Sequence, residues 1–317
     1  MIINRSFKEF KLQHRSKKNQ IIYSSKKVQS DKEVLNLIDN FLIEKNSFIF
    51  ESVEKGKIKG RYTIFGKNPD KIWEFNNNNS FLIKNNKKVK LKEKPQILIE
   101  NIIEDFKFKI PSGLPSIASL ISGYFSYDTI RYIENIPNKC KDDLKVPDVR
   151  LLRPRILVIH DNLKKKIFYI VNIFKDEKIS NYPKKYLGIK SELSKLFTQS
   201  LKAKDKTTNE KKLAKINVKS NTSKNKFLGM VNKAKKYIKI GDIFQVVLSQ
   251  RFETKLTKKP LDIYKKLRIT NPSPFMFFFN FNDFQIIGAS PEILVRLRDN
   301  KITCLLYTSP SPRDSSK

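Results

Sequence analysis

Cysteine, histidine, tryptophan and glycine are all scarce in this chain. Of 317 residues, two are Cys (Cys140 and Cys304), two are His (His14 and His160), one is Trp and nine are Gly. Two distant cysteines exclude a disulfide framework and a zinc knuckle. Two isolated histidines offer no His-based metal or nucleophile constellation. No stretch approaches the roughly 18–20 apolar residues of a membrane-spanning helix; the best run, Ile167 to Phe174, has the length of a strand. The opening MIINRSFKEF lacks the charged-then-apolar order of a secretory signal. These absences point to a soluble, cytoplasmic protein.

Negative charge is also in short supply. Lys and Arg number 65 against 31 Asp and Glu, a formal net charge of +34. Such a balance raises nucleic-acid binding as a reading. A nucleic-acid footprint should concentrate its lysines on one arm or face, interleaved with exposed aromatics. Here the lysines run from Lys8 to Lys266 among abundant Asn and Ile, with Asn76 to Asn79 in a row. Codon bias of an A/T-rich genome explains that mixture more simply. What is plentiful is core material: 39% hydrophobic residues, with 23 Phe and 11 Tyr, which excludes wholesale disorder.

Apolar alternation predicts strands at 47–53 (SFIFESV) and 61–66 (RYTIFG), and a meander through 71–75, 81–84 and 88–92. Pro95 opens a predicted helix, QILIENIIEDF. Ile117 to Phe125 is β-like, and 156–162 and 166–174 read as paired strands. Residues 199–223 are lysine-rich and poor in large apolar side chains, the profile of a linker between a domain at 1–198 and one at 224–303. Beyond the linker, Asn221, Thr222 or Ser223 can cap a helix whose apolar face runs Phe227, Val231, Ala234, Ile238, with Gly241 at its stop. A strand is predicted over Ile243 to Phe252, then a helix from Pro260 through Arg268. Further strands follow at Phe275 to Phe281, Phe284 to Ile287 and Glu292 to Leu297, the last ending at an Asp299-Asn300 turn. The pattern is α+β with largely antiparallel strands.

After Thr303 the composition changes. Lysine disappears until the last residue, and Cys304 to Asp314 reads CLLYTSPSPRD. That string is the one-frame translation of a transposase-type sequencing adapter, so 304–317 is expected to be an artefactual tail, with Cys140 the one native cysteine. Other codons in the source DNA would refute this.

Three local signals carry chemistry. They are GDIFQVVLSQRF (Gly241 to Phe252), NPSPFMFFF (Asn271 to Phe279) and GASPEILVR (Gly288 to Arg296), the last a tight turn presenting Glu292. Each alone is an ordinary turn-plus-strand pattern. Together, and in this order, they resemble the chorismate-binding enzyme family. Within it the similarity is greatest to the component I (large subunit) branch of anthranilate synthases. FESV (Phe50 to Val53), GRYTIFG (Gly60 to Gly66), GYFSYDTIRYIE (Gly123 to Glu134) and VPDVRLLRPRILVIHDN (Val146 to Asn162) extend the resemblance over most of residues 1–303.

The resemblance implies a β-sandwich with helices on its outer faces, incomplete at the C-terminus. It implies conversion of chorismate and ammonia to anthranilate and pyruvate, with Mg2+ as cofactor and a glutamine amidotransferase subunit as partner. The family's Gly-Thr-Arg-Pro-Arg-Gly segment, catalytic His and Mg2+-binding glutamates are not found in this sequence. Of the active-site region only Glu292 is carried, with a plain turn carboxylate as the equal alternative, and no metal ligand is assigned. The chain as written is therefore expected to be inactive. The resemblance also implies an L-tryptophan inhibitor site at Ser52 with Glu51, at Pro274, Phe275 and Met276, and at Arg61 facing the ligand carboxylate. Core packing is the alternative for Phe275 and Met276. Aminodeoxychorismate synthase component I is the nearest rival; Met276 and the Val246-Val247 step favour anthranilate synthase over it. Isochorismate and salicylate synthases, and a non-enzymatic nucleic-acid binder, rank lower.

Overall fold

The computed structural model describes residues 2–54, 57–58, 60–202 and 217–304. The chain divides into two compact units, one of Met1–Lys204 with Tyr264–Ser290, the other of Asp205–Ile263 with Pro291–Lys317.

The first unit is built on a ten-stranded antiparallel sheet. It begins with α1 (Phe7–Arg15), β1 (Gln20–Lys27), α2 (Lys32–Phe41) and β2 (Ser47–Glu51). A minor hairpin of β3 (Val53–Glu54) and β4 (Lys57–Ile58) leads into the long β5 (Tyr62–Asn76), followed by β6 (Asn79–Lys84), β7 (Lys87–Leu91) and α3 (Pro95–Asp105). Then come β8 (Ser122–Phe125), β9 (Val149–Asp161), β10 (Lys166–Ile173) and α4 (Tyr182–Leu201). The strand order is β1-β10-β9-β5-β2, with β6 and β7 continuing from β5 and β8 from β9.

Two strands from far along the chain complete this sheet. β13 (Phe275–Asn280) pairs with β2, and β14 (Gln285–Ser290) pairs with β13. A single cut at 199–223 therefore does not separate the two units. The physical reason is the FMFFFN segment, whose Phe278 and Phe279 are buried where it lies against the FIF of β2, with Phe48 opposite Phe279.

β5 and β9 are long because each serves two parts of the sheet. Register shifts between Pro69 and Lys71, where Pro69 lies opposite Pro154 and neither can donate to the ladder. The irregularity changes which β9 side chains face the main core, from Leu157 and Ile159 to Leu152. The sheet turns over on itself there, so Ile72 and Leu152 share one apolar cluster with Phe168, Phe279 and Phe281. On the other face α2 buries Val34, Leu37, Ile38 and Phe41, and α4 buries Tyr186, Ile189, Leu193 and Leu196. These spacings of three and four place each set on one helical stripe. The architecture is the α+β, largely antiparallel, helix-covered fold expected from sequence.

The second unit holds β11 (Lys219–Ser220), α5 (Lys224–Ile240) and β12 (Phe252–Glu253). Ser223 caps α5 by accepting the Lys226 N–H, and Gly241 ends it in the left-handed conformation at φ 86°. α6 (Pro260–Thr270) follows, its residues from Tyr264 onward belonging to the first unit. β15 (Arg296–Arg298) and β16 (Lys301–Thr303) close a hairpin through Asp299 and Asn300, both at positive φ as the turn requires.

Three expectations need correction. The predicted strand over 243–252 is confined to its last residue and Glu253; Phe244 and Val247 are 60% and 83% exposed. An extended segment becomes a strand only with a partner, and among the described residues none pairs with 243–251. The strand predicted from Glu292 shortens to Arg296–Arg298 for the same reason. The linker read as 199–223 overlaps ordered structure at both ends. Ser200 is buried in the last turn of α4, bonded to the Tyr169 hydroxyl at 2.8 Å, and Lys219–Ser220 pair with β12. Residues 203–216 of that linker, and all of the tail except Cys304, lie outside the described residues. Among the described residues, no helix is long and apolar enough to cross a membrane.

Candidate functional site

The β2–β13 register brings the two site motifs together. Glu51 lies opposite Met276, and both are buried, at 4% and 1% exposure. A carboxylate in that position needs partners, because burying an unpaired charge is prohibitive. α6 supplies them. The Tyr264 hydroxyl donates to Glu51 Oε1, and Arg268 Nε lies 2.9 and 3.0 Å from Oε1 and Oε2. Tyr264 and Arg268 are four residues apart, so they share one face of the helix. Burial, with the Glu51 carboxylate beside it, pushes the Tyr264 phenol well above its ordinary pKa, so it stays a donor.

Side chains alternate across a strand, so the next residues turn the other way. Ser52 is half-buried, and Phe275 is 43% exposed beside exposed Pro274. Phe50 and Phe277, opposite each other and half-buried, continue that face toward the core. The backbone around Ser52 is clamped. The Val53 N–H donates to the Ser273 carbonyl at 3.0 Å, and the Gly60 N–H donates to the Ser52 carbonyl at 3.4 Å. Ser273 Oγ in turn donates to the Ser290 carbonyl. A Cβ on Gly60 would overlap that of Ser52, so only glycine permits this approach.

The six residues expected to form one amino-acid site thus divide by face. Half-buried Ser52 and partly exposed Phe275 share the other face, with exposed Pro274 in the loop just before β13; a hydroxyl beside an aromatic ring is a fitting lining for a flat apolar ligand with a polar end. Glu51 and Met276 lie beneath, Glu51 bonded to α6 and Met276 buried. Arg61 reaches Asp161 at 3.4 Å, with its guanidinium 4.8 Å from the centre of the Tyr62 ring. Tyr264 and Arg268 were not singled out from sequence. The signal available was a lone Glu closing an apolar strand, which demands a cationic partner, and a Tyr and an Arg at helical spacing after Pro260.

Glu292 lies in the second unit and is exposed. Among the described residues, no group of three or more His, Cys, Asp or Glu is placed to hold a metal ion. No described residue is assigned to Mg2+, and no step is derived through it. His14 is a structural pin, bonded to the Tyr182 hydroxyl at 2.9 Å and the Glu177 carbonyl at 3.0 Å.

A family profile described as "chorismate binding enzyme" matches residues 45–305. The chain belongs to the chorismate-binding enzyme family. It is 34% identical over 311 residues to anthranilate synthase component 1 of Cereibacter sphaeroides, covering 94% of this chain and 61% of that protein. It is 36% identical over 293 residues to the Acetivibrio thermocellus protein of the same name, covering 90% and 59%. The chain thus spans about three-fifths of the length of these relatives. Among solved structures, anthranilate synthase component I from Streptococcus pneumoniae superposes with a TM-score of 0.64 at 29% identity, over 78% of this chain and 54% of that one. The menaquinone-specific isochorismate synthase of Escherichia coli, 14% identical with a TM-score of 0.52 over 89% of this chain and 52% of its own, shares the fold alone.

Proposed function

We propose that this chain is the large subunit of an anthranilate synthase, acting in the cytoplasm in tryptophan biosynthesis. In this reading it takes chorismate as substrate, with Mg2+ as cofactor and ammonia supplied by a glutamine amidotransferase subunit. The products are anthranilate and pyruvate. The observation that carries the reading is the match to component 1 proteins along nine-tenths or more of the chain. L-Tryptophan is its inhibitor, received at Ser52, Pro274 and Phe275, with Glu51 and Met276 beneath and Arg61 at the margin. Glu292 lies in the neighbourhood of the active site.

The test is growth. The gene carrying this sequence, cloned from source DNA with whatever follows codon 303, is expressed in two bacterial strains. One lacks anthranilate synthase component I; the other requires p-aminobenzoate. Growth of the first without tryptophan is the expected result, and rescue of the second alone would transfer the reading to the aminodeoxychorismate enzyme. The 317-residue polypeptide by itself is expected to form no anthranilate from chorismate and ammonia; measurable turnover would contradict that.

A further inference from the structure

Glu51 has the charge to receive an amino acid's ammonium, yet its carboxylate is already used. Oε1 accepts from both Tyr264 and Arg268, and Oε2 accepts from Arg268. The side chain is fully enclosed between β2 and α6, with Tyr264 also packing its ring 5.6 Å from Phe278. What this arrangement fixes is the placement of α6 against the end of β2.

That placement is passed directly to the site. Only residues 271–274 separate the end of α6 from the start of β13, and two of them are Pro272 and Pro274. The Asn271 N–H still donates to the Leu267 carbonyl at 2.8 Å, and Ser273 is held to Val53 at the other side of Ser52. A segment so short, with proline fixing two of its φ angles, has little slack to absorb a shift of the helix. Ser52 therefore sits between two attachments to the same loop, one through Glu51 and α6, the other through Val53.

We propose that Arg268 and Tyr264 are positioning residues for the amino-acid site. By holding Glu51 they keep Ser52 and the 271–275 loop at the spacing a bound tryptophan requires. The proposal rests on the reading of that site given above. It assigns Glu51 an indirect role: its carboxylate orders the site from below rather than meeting the ligand.

The experiment is calorimetric titration of L-tryptophan into the 317-residue chain. Arg268→Met is expected to weaken binding about tenfold, the scale of one lost charge-assisted hydrogen bond. Arg268→Lys, which keeps the charge, should recover most of that loss, whereas a merely space-filling role would give the two variants equal affinity. Tyr264→Phe, which removes one hydroxyl and leaves the packing, should weaken binding by a few-fold; it carries the test if Arg268→Met fails to fold. Lys265→Ala removes a different ion pair of α6, to Asp39, and should leave affinity unchanged. Ser52→Phe should abolish binding. If the wild-type chain binds and Ser52→Phe does not, but the Arg268 and Tyr264 variants bind normally, the positioning role is refuted and the site stands. If the wild-type chain takes up no tryptophan, the site itself falls and the proposal with it.

Discussion

His160 shows how much a single residue can decide without taking part in chemistry. It is fully buried in β9, opposite Thr63 of β5 and Ile167 of β10. Burial pushes its pKa below the ordinary 6.5 and Lys165 adds to the push, while Asp31, Asp161 and Glu33 oppose it. The unfolded chain therefore takes up a proton near pH 6.5 that the folded chain refuses. The stability His160 contributes is complete above that pH and is lost as pH falls toward the folded pKa. Asp176 does not blur this window. Partial burial raises its pKa, but the Lys71 hydrogen bond and the Arg153 charge outweigh that and hold it at about 2; its stabilising contribution is present above 3.8 and lost only as pH falls through about 2. Urea unfolding at about pH 7.5 and pH 5.5 should show a wild-type loss of about 1 kcal/mol that His160→Leu removes. An equal loss in the variant would show that other groups set the acid slope.

At the scale of elements, cross-strand glycine–aromatic pairs hold the sheet's register. Gly66 lies opposite Phe48 and Gly288 opposite Phe277, and in each case a Cβ would collide with the facing ring. Gly188, exposed on α4, meets nothing. Two identical substitutions should therefore act in opposite directions. Gly66→Ala is expected to cost about 1–3 kcal/mol through overpacking, whereas Gly188→Ala should stabilise by about 0.5–1 kcal/mol through helix propensity and a more restricted unfolded chain. Chemical denaturation of both variants checks this, and a stabilising Gly66→Ala would contradict the register. Legibility in the sequence followed the same physics. β2, β5, β9, β10 and β13 were readable because strongly apolar runs stop at turn residues. The helices α1 and α4 are faint in the sequence because polar residues crowd their apolar faces, with only Tyr186, Ile189, Leu193 and Leu196 marking the stripe of α4; α2 carries a clean stripe at Val34, Leu37, Ile38 and Phe41, but it is only ten residues long. The opposite error at 243–251 arose where a good strand pattern had no partner among the described residues.

At the scale of the molecule, the distinguishing feature is that β13 closes a sheet begun more than two hundred residues earlier, with Asn280 opposite Ser47. Sequence resemblance could associate FESV with NPSPFM, but it could not say which face each side chain takes. The register supplies that: Ser52 and Phe275 on one face, half-buried and partly exposed, with Glu51 and Met276 beneath. It also explains why Tyr264 and Arg268 escaped notice. Their importance comes from a partner in a different part of the chain, and no local pattern records it.

The central claim is that these two distant segments form one amino-acid site. Hydrogen–deuterium exchange of the 317-residue chain with and without L-tryptophan tests it most directly. The account predicts slowed exchange at the backbone amides of 51–53 and of 273 together with 275–276, in parallel, with little change elsewhere in the sheet. Protection confined to one of the two segments, or found only at a remote surface, would contradict it.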